Sequence, residues 1–160
     1  MPIFPLQIRS LAVGKLRGRI WLPAVTEYSQ RLQRYVKFDL VEIRDSIGKG
    51  LPDAAALVEE GKAIAQFLEP GNCLIALDRA GQSLDSSKFA QLLQKQIAAG
   101  IRKIDFVIGG PVGLDQKIVA KANLRLSLSA LTLPHELARV VLLEQLYRAL
   151  TILRGEPYHK

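Results

Sequence analysis

IDFVIGGPVG, Ile104 to Gly113, decides the fold. Its first five positions are apolar apart from Asp105, a run of strand length, and Gly109-Gly110-Pro111 stops it abruptly. A strand apolar on successive positions is covered on both faces, as in the middle of a parallel sheet. CLIAL, Cys73 to Leu77, reads the same way and leads into Asp78-Arg79-Ala80-Gly81. Working outward, LQIRSLAV (Leu6–Val13) is a strand ended by Gly14, and FDLVEI (Phe38–Ile43) is another. LRLSL (Leu124–Leu128) alternates apolar with polar, as a half-covered strand does.

Helical spacing fills the gaps. From Trp21, residues Leu22, Val25, Ser29, Leu32 and Val36 recur at three or four, and Pro23 is tolerable in a first turn. Asp53 is placed to cap a helix running to about Leu68, where Pro70-Gly71 stops it. Gly61 inside that helix costs about 1 kcal/mol relative to alanine. Ser86 or Asp85 caps a helix with Phe89, Leu92, Leu93, Gln96 and Ile97 on one face, closed by Gly100. A short helix from Asp115 to Ala122 and a long one from His135 to Leu153 complete the chain; residues 44–52 form a loop. The expected fold is α/β: one mostly parallel sheet of five or six strands with helices on both faces. In such sheets ligands bind beyond the carboxyl ends of the strands. Asp78–Gly81, Gly109–Gly113 and Ser129–Thr132 arrive there together.

A length of 160 residues corresponds to one domain, 1–160, and no linker divides it. Hydrophobic residues at 49% and charged residues at 23% exclude collagen-like, mucin-like and disordered classes. No apolar run approaches the roughly 20 residues of a membrane span, and the first residues show neither a basic leader nor a cleavage site. With a single cysteine, Cys73, in an apolar run, the expected location is the cytoplasm. The net charge is +7, from 22 basic against 15 acidic side chains, and it concentrates in the second half. That excess suits a surface that meets a phosphate backbone, although chance basicity fits as well. Its tightest cluster is Lys15, Arg17 and Arg19.

Several motifs carry two readings. Gly109–Gly113 is neither a dinucleotide fingerprint nor a P-loop; it is a tight turn, or backbone that a ligand must approach closely. One cysteine and two histidines 24 positions apart exclude a zinc cluster, so no metal site is expected. His135 is a core-edge residue or a functional one. The closing GEPYHK (Gly155–Lys160) is a frayed tail, or an aromatic and basic cap over a nucleobase. The last helix is apolar around most of its circumference: Leu137, Ala138 and Val141 face differently from Val140, Leu143 and Leu150. Such a helix needs cover all round, and the simplest second cover is another copy of the chain. Aspartate at Leu143 and Leu150 is expected to prevent assembly or folding. Glu144 and Arg148, four apart, form a surface pair or an interface pair. These features leave three classes open: an RNA-acting or nucleotide-binding enzyme, another small α/β enzyme, and a non-catalytic RNA-binding module.

LAVGKLR (Leu11–Arg17), ALDRAGQSLDSSKFA (Ala76–Ala90), FVIGGPVGL (Phe106–Leu114), SLSALTLPHELARVVLLEQLYRA (Ser127–Ala149) and the terminal PYHK resemble the ribosomal RNA large subunit methyltransferase H family over essentially the whole chain. The resemblance implies a SPOUT-class fold with a C-terminal trefoil knot, in a cofactor-binding region of about 73–160. It implies an S-adenosyl-L-methionine-dependent enzyme that methylates N3 of a pseudouridine in 23S rRNA, within the 50S subunit or 70S ribosome, and acts as a homodimer. A non-catalytic RNA-binding module that retained the fold is the alternative. By the same resemblance, Leu77, Gly110 and the run Leu128, Ser129, Ala130, Leu131, Thr132, Leu133 hold the cofactor. His135, Arg139, Arg148, Arg154, Tyr158 and His159 look like substrate residues, with His159, Tyr158, Arg139 and Arg154 nearest the chemistry. The methyl group of a sulfonium is already activated, so the protein must supply alignment and an unprotonated N3. His159 is the candidate base, Tyr158 a stacking or positioning group, and Arg139 and Arg154 holders of phosphate or base carbonyl. Electrostatic stabilisation of the N3 anion by arginine, with no protein base, is the other route.

Overall fold

The computed structural model describes all residues from Met1 to Lys160. Its elements alternate along the chain: β1 (Gln7–Val13), α1 (Trp21–Leu32), β2 (Lys37–Ile43), α2 (Asp53–Ala65), β3 (Cys73–Ser83), α3 (Ser86–Ala98), β4 (Lys103–Ile108), α4 (Gln116–Lys121), β5 (Leu124–Ser127) and α5 (His135–Arg154). The five strands form one sheet in the order β2-β1-β4-β3-β5, and every neighbouring pair is parallel. β1, β4 and the buried first half of β3 take the inner places. β2, which exposes Leu40, takes an edge.

Because successive strand side chains point to opposite faces, two apolar layers result. Ile8, Ile75, Ile104 and Phe106 pack with α1, α3 and α5 on one face. Leu11, Leu74, Ala76 and Val107 pack with Ile64 of α2 and Ile118 of α4 on the other. At the amino-terminal edge of this second face, Asp105 is 1% exposed and takes both Arg9 Nε and Nη2, at 2.7 and 2.9 Å. The pairing leaves neither buried charge alone.

Three local expectations change. Helix α2 begins at Asp53 itself, after Pro52, and no side chain caps it. β3 does not end at Leu77: Leu77 and Gln82 both pair with Leu126, so residues 78–81 bulge out and the strand resumes to Ser83. Finally, α5 finds much of its cover within its own chain. Leu142, Leu143, Leu146, Ala149 and Leu150 are fully buried in the larger apolar layer. Aspartate at Leu143 or Leu150 therefore breaks the core and says nothing about assembly. Leu137, Ala138, Val140, Val141, Tyr147, Ile152 and Leu153 are the apolar positions of α5 left half-covered. No helix is long and apolar enough to cross a membrane.

Candidate functional site

The carboxyl ends of β3, β4 and β5 lie side by side, and the segments leaving them enclose one cavity. Leu77, Asp78 and Arg79 line it from β3, Ile108 to Gly110 with Gly113 from β4, and Leu126, Leu128, Ser129 and Leu131 to Leu133 from β5 and its loop. His135 and Ala138, in the first turn of α5, close it. Of the residues expected to hold a cofactor, all but Ala130 line this cavity; Ala130 is exposed on the outer side of the loop.

The glycine turn is built by contact between its own ends. Gly113 N–H donates to the Gly110 carbonyl at 3.0 Å, and a Cβ on Gly109 would stand 2.5 Å from the Gly113 carbonyl carbon. Gly113 itself has φ of +89°, the left-handed region. Gly110 differs: its φ is ordinary, and a Cβ there would meet only the Val13 side chain, with Cγ1 nearest at 3.4 Å, beside the cavity. In the β5–α5 loop, Ser129 Oγ accepts from Leu131 N–H at 2.9 Å and Ser127 Oγ donates to the Ser129 carbonyl at 3.0 Å. The amides of Leu128, Ala130, Thr132 and Leu133 have no partner in the chain. Free backbone donors between leucine side chains suit a flat heterocycle with a polar edge, which wants apolar walls and a few fixed hydrogen bonds.

The 78–81 bulge belongs to the same wall. Asp78 accepts from Ala80 N–H at 3.0 Å and pairs with Arg125 Nη2 at 2.5 Å. The Ala80 amide first, and then the Arg125 guanidinium, hold its carboxyl below the usual carboxylate range. Arg79 reaches across to Thr132 Oγ1, tying bulge to loop. Gly81 is the hinge: a Cβ there would lie 2.6 Å from the Arg125 carbonyl carbon, so two backbones touch. Sequence reasoning picked out the bulge segment but missed Arg125. Its signal was a lone charge in an alternating strand, with nothing local to name Asp78 as its partner.

Of the residues expected to meet substrate, only His135 lines this cavity. Arg139, 4% exposed, donates from Nη2 to the Val13 and Gly14 carbonyls at 2.8 and 2.7 Å, while its Nε is buried without a partner. Burial pulls its pKa down. Arg154 is exposed at the far end of α5, 3.8 Å from Glu156. The tail folds back on α5. Tyr158 Oη donates to Glu144 Oε1 at 3.1 Å and its ring meets Tyr147 edge-on at 4.7 Å. Arg148 stacks on Tyr158 at 4.8 Å, binds Glu144 through Nη2 at 2.6 Å, and lies 3.3 Å from His159 Nδ1. Burial, with Tyr28 and Glu144 alongside, raises the Tyr158 phenol well above its usual pKa. At 1.5 Å per residue, Glu144 and Arg148 stand roughly 14 and 20 Å along α5 from His135. Cavity and tail are therefore separate features of one chain. No group of three metal-ligating side chains comes together anywhere.

Comparison with known proteins supplies the rest. A family described as "Predicted SPOUT methyltransferase" matches residues 6–159. Proteins called ribosomal RNA large subunit methyltransferase H are 41% identical in Clostridium botulinum (strain Loch Maree / Type A3) and 46% identical in Anaeromyxobacter sp. (strain Fw109-5), each match covering 97% of this chain and 100% of the relative. Among solved structures, a probable methyltransferase from Bordetella pertussis Tohama I superposes with a TM-score of 0.57 at 15% identity, covering 91% of this chain and 95% of its own. A putative methyltransferase from Legionella pneumophila, solved with bound SAM, gives 0.50 at 14% identity, covering 89% and 66%.

Proposed function

The chain belongs to the ribosomal RNA large subunit methyltransferase H family of SPOUT methyltransferases, and on that premise we propose that it transfers a methyl group from S-adenosyl-L-methionine to N3 of a pseudouridine in 23S rRNA. The substrate is the 50S subunit or the 70S ribosome, and the compartment is the cytoplasm. The observation that carries this reading is the meeting of three strand-end segments around one cavity, in a chain related to those proteins from end to end.

Leu77, Gly110 and Leu128–Leu133 hold the cofactor, with region 73–160 as the knotted unit that binds it. The donor set fits: apolar walls from Leu77, Leu128 and Leu133, unpaired loop amides, and a Gly110 whose missing side chain leaves room. When bound, the sulfonium supplies an activated methyl. The chain's own groups then orient the acceptor base, exclude water and deal with the N3 proton. His159 takes that proton and Tyr158 positions the base; Arg154 holds phosphate or a base carbonyl. Arg139 is a positioning residue, because its Nη2 is committed to the Val13 and Gly14 carbonyls beside the cavity.

The separation of tail and cavity along α5 supports a homodimer in which the tail of one copy serves the cavity of the other. The half-covered Leu137, Val140 and Val141 suit such a contact.

Two measurements test the reading. Calorimetric titration should show S-adenosyl-L-methionine binding, which a pure RNA-binding module has no reason to display. Labelled methyl transfer to 50S and 70S particles, with the product nucleoside identified by mass spectrometry, tests the acceptor atom. Removing Tyr158–Lys160 should leave cofactor binding intact and slow transfer at least about a hundredfold, the scale of a lost positioned base. Losing the Tyr147–Tyr158 contact should cost only about 0.5–1.5 kcal/mol of stability. His159→Ala should recover rate as pH rises toward ionisation of the imide; a deficit flat in pH would make His159 an RNA-positioning group instead.

A further inference from the structure

We infer that a second hollow, beyond the carboxyl ends of β1 and β2, seats the sugar-phosphate backbone of the RNA that flanks the methylated nucleotide. The inference rests on the reading of RNA as substrate and adds where its chain runs. The hollow holds about 430 Å³ and is lined by Lys15, Arg17, Arg44 and Lys49, with Glu42 and Asp45. All four basic residues are exposed. Asp45 is already committed to Lys49 at 2.8 Å. No carboxylate lies within ion-pair distance of Lys15, Arg17 or Arg44, so three cations face solvent without a partner.

These cations stand on loops whose backbones are pinned from beneath. Arg17 N–H donates to Glu136 Oε1 at 2.7 Å, and Gly14 N–H to the Ile43 carbonyl at 2.7 Å. Ser46 N–H donates to Glu60 Oε1 at 2.9 Å. Glu60 is 2% exposed and its other carboxylate oxygen has no partner, an arrangement that costs stability in order to hold the 44–52 loop in place. Fixed backbones with free cationic tips suit a ligand that brings its own negative charges in sequence.

Position narrows the ligand further. Glu136 adjoins His135, which lines the cofactor cavity, so the first turn of α5 both borders that cavity and braces the loop that carries Arg17. In the order β2-β1-β4-β3-β5 the basic hollow stands over the first two strands and the cavity over the last three. At about 4.8 Å per strand their centres lie roughly 10–15 Å apart. A nucleotide presented at the mouth of the cavity, to the methyl group of a bound cofactor, would lay its neighbours' phosphates over Lys15, Arg17 and Arg44. Cations from two loops, spread around an open hollow, match a line of phosphates rather than one small anion.

The test replaces Lys15, Arg17 and Arg44 with glutamine together and measures binding to a protein-free 23S rRNA transcript and to 50S particles, from 50 to 200 mM salt. Each lost phosphate contact should flatten the slope of log K against log salt by about 0.7–0.9, so the triple variant should lose about 2–3. Its affinity for S-adenosyl-L-methionine should not change. A control triple, Lys95→Gln, Arg102→Gln and Lys121→Gln, removes the same charge near the opposite, amino-terminal ends of the strands and should keep the slope. Equal loss in the control, or an unchanged slope in the test variant, overturns the inference while leaving methyl transfer by the wild type untouched. Loss on particles but not on the transcript assigns the hollow to an acidic protein surface and overturns it too. A wild type that binds no RNA removes both the inference and the reading beneath it. If the triple variant does not fold, Lys15→Gln, Arg17→Gln and Arg44→Gln are made singly, each expected to lose about 0.7–0.9 of slope.

Discussion

The glycines after β4 show how adjacent identical residues do different work. Gly109 is required by the turn, since its Cβ would collide with the Gly113 carbonyl, whereas Gly110 has room on its own. Gly110→Val is therefore expected to melt near the wild-type temperature and to lose S-adenosyl-L-methionine affinity at least about tenfold, through a side chain placed in the cavity. Gly109→Ala should instead unfold at lower denaturant, because backbone must move to admit one carbon. Calorimetry and circular dichroism on the pair separate the two roles. The value of small residues here was legible in the sequence, but their reasons were not all local. Gly61 looks like a defect in α2 until Asp115, whose Cβ would lie 2.7 Å from a side chain there, is seen across the fold. Gly81 touches Arg125 in the same hidden way. Arg139 is the opposite case: its chemistry suggested substrate, yet its hydrogen bonds run inward to β1.

Among elements, β3 departs most from its expected form, and the departure shapes the cavity. Continuous apolar character marked Cys73–Leu77 as strand, but the return at Gln82 and Ser83 is polar and depends on β5 for its pairing. No periodicity within the segment encodes that. Asp78 holds the bulge, and its charge should be felt in acid. Its folded pKa is depressed, so its contribution is present above the unfolded value of about 3.9 and is lost as pH falls through the folded value. Asp78→Asn should cost about 0.5 kcal/mol at pH 7, the scale of a partly exposed pair. The difference from wild type should shrink steadily below about pH 4 in denaturant titrations. The helix α5 was legible as to length and apolar content, but which leucines belong to its own core depended on where α1 and α3 lie.

At the scale of the molecule, α/β alternation and the location of the cavity followed from pattern alone, because buried strands and glycine stops are local signals. Strand order did not, since it is set by crossovers that bring residues 96 positions apart into contact, as in Arg9 and Asp105. The separation of tail from cavity leads to a mixing experiment. A chain carrying Gly110→Val and a chain lacking Tyr158–Lys160 should each be nearly inactive alone. If each site takes its tail from the other copy, an equal random mixture should regain about a quarter of wild-type activity, from mixed dimers with one intact site. Failure to regain activity, with dimers verified by sedimentation, would put tail and cavity of the same chain together.

The sheet order has a consequence for the chain while it is being made. β1 lies between β2 and β4, yet β4 is completed only at Ile108, long after β2 ends at Ile43. At about 5–20 residues per second, one edge of a strand that is apolar from Leu11 to Val13 waits roughly 3–13 s for its neighbour. During that interval the nascent protein is a two-stranded fragment with an open template along its side, the kind of edge to which other chains adhere. A ribosome stalled between those points should hold a product that needs a chaperone to stay in solution, and one released there should aggregate.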